Sequence, residues 1–268
     1  MFPMRHQYGF WEMMLPALFL TVGMSLQAEE SLRELRVLSY NIHIGVGMDG
    51  KLNLERTAKT ILEQQPDIVA LQEVDNKTER TKKADQTAEL AKLTGMNAVF
   101  GRTIDLQGGE YGIAVLSKYP ILEHKITQLP RLGQREDRGA LAVKVRMDEK
   151  TVLWFVCTHF CNKSEERRLL QAQKINELFT ASDDQLTILA GDLNTEPDSG
   201  PVAVLKKKWF NATNADPTLS NPESPVKIDY IFYRPESALR VKETRVLQDN
   251  MTSDHLPVLT VFEQEPKK

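Results

Sequence analysis

At 268 residues, the chain suits one large α/β domain or two small ones, and its 41% hydrophobic and 26% charged residues are the ordinary balance of a packed globular protein. A net charge of −3 and an isoelectric point near 6.0 give no global sign of a surface built to grip long nucleic acid through many phosphates. Cys157 and Cys161 are the only cysteines, which excludes a disulfide framework, and the very short loop between them reads as two ordinary thiols.

The N-terminus has the order of a secretory leader. Arg5 and His6 precede an apolar stretch from Met13 to Met24, and Ala28 stands before Glu29-Glu30. We therefore expect residues 1–28 to be a signal peptide and 29–268 the mature domain, periplasmic or secreted. The apolar stretch is shorter than the ~20 residues of a spanning helix. If it is left uncleaved, it becomes a membrane anchor.

Beyond Glu30, apolar runs alternate with helical periodicity. Val37–Ile42 predicts a strand. Leu54, Ala58, Ile61 and Leu62 fall at helical spacing, and Pro66 stops that helix. Ile68–Leu71 is a continuous apolar run, as in a strand buried on both faces. Ala84–Leu93 predicts a helix with Gly95 just past its end, followed by strands at Gly112–Leu116, Ala140–Arg146 and Thr151–Val156. Ser164 caps a helix with Glu165 and Glu166 in its first turn and Leu169, Ala172, Ile175 and Phe179 on its core face. Leu186–Ala190 is another buried strand, Asn211–Val226 is a loop, and strands at Ile228–Tyr233, Arg240–Leu247 and Leu256–Phe262 close the chain. This density of strands predicts two sheets with helices outside them, in one domain.

The polar residues beside these strands form a pattern. Asn41, Glu73, His159, Asp192 and Asn194 each follow an apolar run. Asp229 lies within one, and Asp254-His255 precede the last. Each alone reads blandly: Glu73 as a surface acid, Asp192 as a turn former, His159 as a satisfied strand-end histidine. Several strands ending in a carboxylate, amide or imidazole point instead to one convergent site. Hard oxygen ligands such as Glu73, Asp254 and Asn41 suit magnesium or manganese, and no cysteine pair or His-x-x-x-His spacing favours zinc. Hydrolysis of a phosphate ester needs an activated water, a cation on the phosphoryl oxygen and donors for developing charge. Asp192 would orient or deprotonate the water, Asn194 would hold water and phosphate in line, and His255, oriented by Asp229, would stabilise the phosphorane.

At these positions the chain resembles the endonuclease/exonuclease/phosphatase superfamily, with the deoxyribonuclease-I-like fold. The matching stretches are Leu38-Ser39-Tyr40-Asn41, Leu71-Gln72-Glu73-Val74-Asp75, Thr158-His159-Phe160, Gly191-Asp192-Leu193-Asn194, Lys227-Ile228-Asp229-Tyr230 and Ser253-Asp254-His255-Leu256-Pro257-Val258. They stand in the family's order and cover nearly all of the chain from Arg36 onward. The resemblance implies a four-layer α/β sandwich of two packed mixed sheets flanked by helices. It implies Glu73 as main metal ligand, with Asn41 and Asp254 near metal and phosphate. It also implies Asp192, Asn194 and His159 in the catalytic set, with His255 paired to Asp229. Thr158-His159 resembles the phosphodiesterase, sphingomyelinase and inositol-phosphatase branches. Asp49-Gly50, Gly109-Glu110-Tyr111-Gly112 and Arg138-Gly139-Ala140-Leu141 are similar to a bacterial group akin to the hydrolase-like domain of proteins of glycosylphosphatidylinositol-lipid remodelling. Arg138 and Tyr111 are substrate-binding candidates, with a solvated strand start and a packed strand tyrosine as their plain readings.

The expected protein is thus a magnesium- or manganese-dependent phosphoesterase, acting as a monomer on a small or lipid-linked phosphate ester, with membrane contact at most peripheral. A secreted nuclease acting on DNA or RNA is the competing reading. A non-catalytic module on the same fold is the remote one, disfavoured because Glu73, Asp192 and His255 are all kept. Gly45-x-Gly47-x-x-Gly50 after a strand has the dinucleotide-binding pattern, but its helix is expected near Asn53, after the glycines rather than within them. His43 and His124 are left without a role, and Lys206-Lys207-Lys208 reads as a solvated helix face.

Overall fold

Every central strand in this protein buries both of its faces, which is why the sequence shows continuous apolar runs rather than alternation. The computed structural model describes residues 1, 3–4, 34–133, 136–182, 185–221 and 223–264, and its elements all lie in one unit, Leu32–Lys268. The expected leader over residues 1–28 falls almost wholly outside the described residues.

The first sheet is built from β1 (Glu34–Asn41), β2 (Ile68–Asn76), β3 (Asn97–Leu106), β4 (Gly109–Ser117), β11 (Leu239–Val246) and β12 (Val258–Gln264). The second is built from β5 (Ile121–Gln128), β6 (Gly139–Arg146), β7 (Val152–His159), β8 (Thr187–Asp192), β9 (Phe210–Asn211) and β10 (Asp229–Arg234). Their orders are β11-β12-β1-β2-β4-β3 and β5-β6-β7-β8-β10-β9. One parallel pair sits at the centre of each, β1 with β2 and β7 with β8, and all other pairings are antiparallel. The helices are α1 (Leu54–Glu63), α2 (Gln86–Thr94), α3 (Glu165–Phe179) and α4 (Gly200–Lys206). The parallel pairs are bridged by α1 and α3, so each sheet repeats the same strand–helix–strand plan.

Three apolar layers follow from the period-two alternation of side chains. Val37, Ile68, Val143, Phe155, Ile188 and Ile231 meet between the sheets. Tyr40, Val69 and Leu71, facing the other way, pack under Leu54, Ala58 and Ile61 of α1 and Leu90 of α2. Val156, Leu189 and Phe232 do the same under Ala172 and Ile175 of α3 and Val202 and Leu205 of α4. The result is the expected four-layer α/β sandwich.

The helix signals act as expected. Asn53, Asp85 and Ser164 each accept a backbone N–H three residues on, from Arg56, Ala88 and Arg167, and Gly95 ends α2 in the left-handed region at φ 71°. Because α1 begins at Leu54 under its Asn53 cap, no helix opens within Gly45–Gly50, and the dinucleotide pattern has no phosphate-binding turn to serve. The edge strands β3, β5 and β9 go beyond the elements read from the sequence, and the helix face expected at Lys206-Lys207-Lys208 is reduced to Lys206, the last residue of α4, with Lys207 and Lys208 in the turn after it. In β3 and β5 most residues are half-buried or exposed, so the apolar runs that marked the other strands are missing. The β3–β4 turn at Gln107-Gly108 has φ of 47° and 71°, a conformation for which Asn-Gly is the usual signal. Cys157 and Cys161 are both free, in line with the sequence reading.

Gly191, the residue before Asp192, shows how tightly the centre of the second sheet is drawn. A Cβ there would lie 2.0 Å from the carbonyl oxygen of Thr158 on the neighbouring strand. Only glycine lets β8 and β7 approach this closely. Gly191→Ala is expected to destabilise the fold by about 2–4 kcal/mol, lowering Tm by roughly 5–15 °C. A thermal melt unchanged from wild type would contradict this reading of the strand contact.

Candidate active site

The site forms at the ends of the two parallel strand pairs, where β1, β2, β7 and β8 deliver Asn41, Glu73, His159 and Asp192. Crossover connections leave a crevice at this edge of a parallel pair, and here two such edges face each other. Asp229 opens β10 directly opposite Asp192 in the ladder, and His255 lies on the loop entering β12.

Asp192 is 1% exposed, so its carboxylate needs partners. Its Oδ1 accepts the backbone N–H of Asn194 at 2.8 Å. Its Oδ2 accepts the Asn41 amide at 3.2 Å and stands 3.3 Å from His159 Nε2 and 3.7 Å from His255 Nε2. Burial alone would raise its pKa. The charges of His159 and His255, with the hydrogen bonds from His159 and Asn194, instead hold it well below the usual carboxylate range. His255 shows the counterpart. Burial alone would lower it, but Asp229, bonded to its Nδ1 at 2.9 Å, and Asp192 push it up to about 10.

Hydrogen-bond chemistry fixes one orientation and leaves one contested. The Arg138 guanidinium, 2.8 Å from His159 Nδ1, and the Asn194 amide nitrogen, 3.0 Å from Nε2, both only donate, so they compete for the single acceptor nitrogen of the neutral ring. Asn41 Oδ1 accepts the backbone N–H of His43 at 3.1 Å, which turns its amide nitrogen into the site. From there it donates to Glu73 Oε1 at 3.2 Å as well as to Asp192, and it lies 3.4 Å from His255 Nε2. Asn41 therefore presents donors to the carboxylates and holds them together. Ser253 anchors the same strand end by donating to the Asn41 carbonyl at 2.8 Å.

Glu73 lies at a bulge in β2, where the register with β4 shifts between Leu71 and Val74, and its φ is 56°. A non-glycine residue held in this region is uncommon, and a bulge re-aims one side chain without ending the strand. The half-buried Glu73 carboxylate is thus turned toward Asn41. Asn194 is also left-handed, at φ 50°; its amide lies 3.0 Å from His159 Nε2 and donates to the Phe160 carbonyl at 3.1 Å.

The structure brings Asn41, Glu73, His159, Asp192, Asn194, Asp229 and His255 into one cluster, with Arg138 attached through His159. Tyr111 joins its margin. Burial and the Glu73 charge raise its hydroxyl pKa, against Arg138, which lowers it. Asp254 stands apart, half-exposed at the mouth, 3.4 Å from Ser253 Oγ and 3.8 Å from His43 Nδ1. Among the described residues no hydrogen bond joins it to Asn41 or Glu73. Three neighbours lay outside the residues singled out from the sequence. Arg80 is paired to buried Asp75 at 2.8 Å and stacks 5.2 Å over the Tyr111 ring. Lys227 donates to the Asp229 carbonyl at 3.0 Å, and burial lowers its pKa to about 8. Ser253 is the third. Lys227 and Ser253 lie inside the matching stretches without having been given a role, and Arg80, seven residues beyond Glu73, carried no signal in the sequence.

The donor set fits a hard divalent cation. Asp192, Asp229 and His255 offer atoms within 4.8 Å of one another; Asp229 Oδ2 is bonded to His255 Nδ1, while its buried Oδ1 has no hydrogen-bond partner among the described residues. Glu73 is the half-buried carboxylate facing the crevice, with Asp254 at its mouth, and both are oxygen ligands of the kind magnesium and manganese prefer.

The sequence profile of the Endonuclease/Exonuclease/phosphatase family matches residues 38–255. An inositol phosphosphingolipids phospholipase C of Schizosaccharomyces pombe is 26% identical over 197 residues, 66% of this chain and 45% of that protein. The chain thus spans less than half the length of that relative. The crystal structure of an endonuclease/exonuclease/phosphatase from Beutenbergia cavernae superposes with a TM-score of 0.73 at 27% identity, covering 87% of this chain and 72% of that one. A mannosyl-6-phosphatase of Bacteroides thetaiotaomicron shares the fold, with a TM-score of 0.69 at 19% identity over 85% of this chain and 99% of that one.

The electrostatics make a direct expectation. By nuclear magnetic resonance, the His255 imidazole should titrate near pH 10, well above the ordinary 6.5. In Asp229→Asn the lowering effect of burial is less opposed, so its pKa should fall. The sign carries to stability: the contribution of the His255 proton is full below pH 6.5 and is lost as pH rises through about 10. Titration of wild-type His255 near 6.5 would refute the pairing.

Proposed function

This chain belongs to the endonuclease/exonuclease/phosphatase family, and from that premise we propose that it is a divalent-metal-dependent phosphoesterase acting on a small or lipid-linked phosphate ester. Members of the family are in general hydrolases of phosphate esters. The observation that carries the reading is the buried Asp192 carboxylate, ringed by Asn41, His159 and His255 with Glu73 one amide away.

In this reading Glu73, with Asp254, would hold magnesium or manganese, which would supply Lewis-acid polarisation of a phosphoryl oxygen when bound. Asp192, anionic and fixed by Asn41 and Asn194, accepts a hydrogen bond from the attacking water and aligns it. The depressed pKa makes Asp192 a weak base in the ground state, so proton transfer to it belongs late in the reaction. His255 is protonated at neutral pH and offers its Nε2–H to the phosphoryl oxygens as negative charge develops, while Asp229 keeps the proton on the ring. His159 lines the same centre, held from its two sides by Arg138 and Asn194. Arg138 and Tyr111 flank the position of the bound phosphate.

The substrate preference rests on two supports. The protein similar to this one in Schizosaccharomyces pombe is by name a phospholipase C for inositol phosphosphingolipids, and the net charge of −3 does not favour a long polyanion. Residues 1–28 as a secretory leader would place the enzyme in the periplasm or outside the cell, as a monomer whose membrane contact is peripheral. DNA or RNA is the competing substrate.

Hydrolysis of bis(p-nitrophenyl) phosphate should vanish on exhaustive chelation and return with magnesium or manganese. Glu73→Gln should weaken metal activation, and Asp192→Asn should lower kcat by roughly 10²–10⁴-fold with little change in Tm. Full activity after chelation would overturn the metal role, and near wild-type turnover in Asp192→Asn would overturn the mechanism. At equal enzyme and modest salt, an inositol phosphosphingolipid should be cleaved faster than plasmid DNA. Faster DNA cleavage, steeply suppressed by salt, would establish the nuclease reading instead.

A further inference from the structure

Beside the catalytic cluster, on the far side of Arg138, lies a cleft of about 240 Å³ lined by Glu136, Arg138, Cys161, Asn162, Lys163 and Arg167. Arg138 is the wall it shares with the reaction centre, since the guanidinium that borders the cleft also bonds His159 Nδ1. The lining holds three cationic side chains and one carboxylate, and that carboxylate, Glu136, is 3.0 Å from Arg138.

Arg167 is the informative group. It is 1% exposed, yet it donates to the carbonyls of Pro130 at 3.3 Å and Glu136 at 2.5 Å and to Cys161 Sγ at 3.8 Å. Among the described residues no carboxylate pairs with it. A guanidinium withdrawn from water and bonded only to neutral dipoles keeps its full charge, a costly arrangement unless an anion completes it. Lys163 stands exposed at the rim with a second mobile charge. Cys161 reports the same field. Burial pushes its thiol up, but the N–H groups of Lys163 and Ser164 and the charges of Arg167 and Arg138 bring it below its ordinary value. The cleft therefore favours negative charge at a point where the reaction centre, with Asp192, Asp229 and Glu73, is rich in carboxylates.

We propose that this cleft is a subsite for a second phosphate of the substrate, so that the preferred substrate is a phosphate ester carrying another phosphate on the same small headgroup. The inference rests on the phosphoesterase reading for its meaning, but binding can be measured without turnover. The second phosphate lies beyond the scissile one, on the Arg138 side, where Arg167 supplies a fixed charge from the cleft wall and Lys163 a mobile point charge at the rim.

The test is calorimetric titration of the full-length protein with myo-inositol 1-phosphate and with myo-inositol 1,4-bisphosphate. The bisphosphate should bind at least about tenfold tighter, the size of one charge-assisted hydrogen bond. That preference should collapse toward one in Lys163→Glu and in Arg167→Gln. Lys163 is exposed, so Lys163→Glu keeps the test valid if Arg167→Gln does not fold. Equal binding of the two ligands by wild type, or a preference unchanged in Lys163→Glu, would overturn the subsite. Phosphatidylcholine vesicles containing phosphatidylglycerol form the second arm. Vesicle binding that depends on Lys163, without bisphosphate preference, would assign the cleft to a lipid surface and refute a substrate phosphate. If the bisphosphate binds as expected but no phosphate ester is hydrolysed, the proposed catalytic function fails and the anion subsite stands.

Discussion

One buried negative charge governs this structure. A carboxylate as enclosed as Asp192 would normally protonate or seek a single strong cation, because leaving it unpaired costs several kcal/mol. Here its charge is shared among a backbone N–H, an amide and two imidazoles, arriving from β1, from β7, from the loop after β8 and from the loop before β12. No element that supplies one of these partners supplies them all. The two sheets must pack face to face with the ends of their parallel pairs brought together for the charge to be tolerated, so the geometry of the candidate site and the fold are linked through the same few contacts.

The same arrangement divides the crevice by charge. On one side Asn41 ties Glu73 to Asp192, concentrating carboxylate oxygens of the kind that suit a hard cation. On the other, Arg138 fixes the His159 ring and opens onto the cleft of Arg167 and Lys163, where an anion is favoured. A phosphate ester lying between the two sides would be polarised from one and gripped from the other. Electrostatic preorganisation of this sort acts before the reaction begins and needs no rearrangement of the protein as charge moves.

Much of this was legible in the sequence, for physical reasons. Strands buried on both faces leave continuous apolar runs, and helix starts leave Asn53, Asp85 and Ser164 as caps. The polar residues that end those runs marked Asn41, Glu73, His159 and Asp192. Edge strands were less legible, because β3 and β5 are largely solvated on one face and carry mixed residues. The bulge that turns Glu73 inward depends on pairing with β4, which no local pattern records. Asn41 was read as lying near the metal through its oxygen, but that oxygen is occupied by the His43 N–H and its nitrogen faces the site. Arg167 could not be told from a solvated helix arginine, since its burial goes with long-range contacts to the Pro130 and Glu136 carbonyls that no local pattern records.

The central claim is that Asp192 and His255 act as one unit, each holding the other in its charged form. A double-mutant cycle on kcat for bis(p-nitrophenyl) phosphate, with Asp192→Asn, His255→Ala and the double variant, measures this coupling directly. If the two work as a unit, the double variant should be no slower than the slower single variant. Losses that multiply, with the double variant slower by the product of the two single effects, would contradict the account.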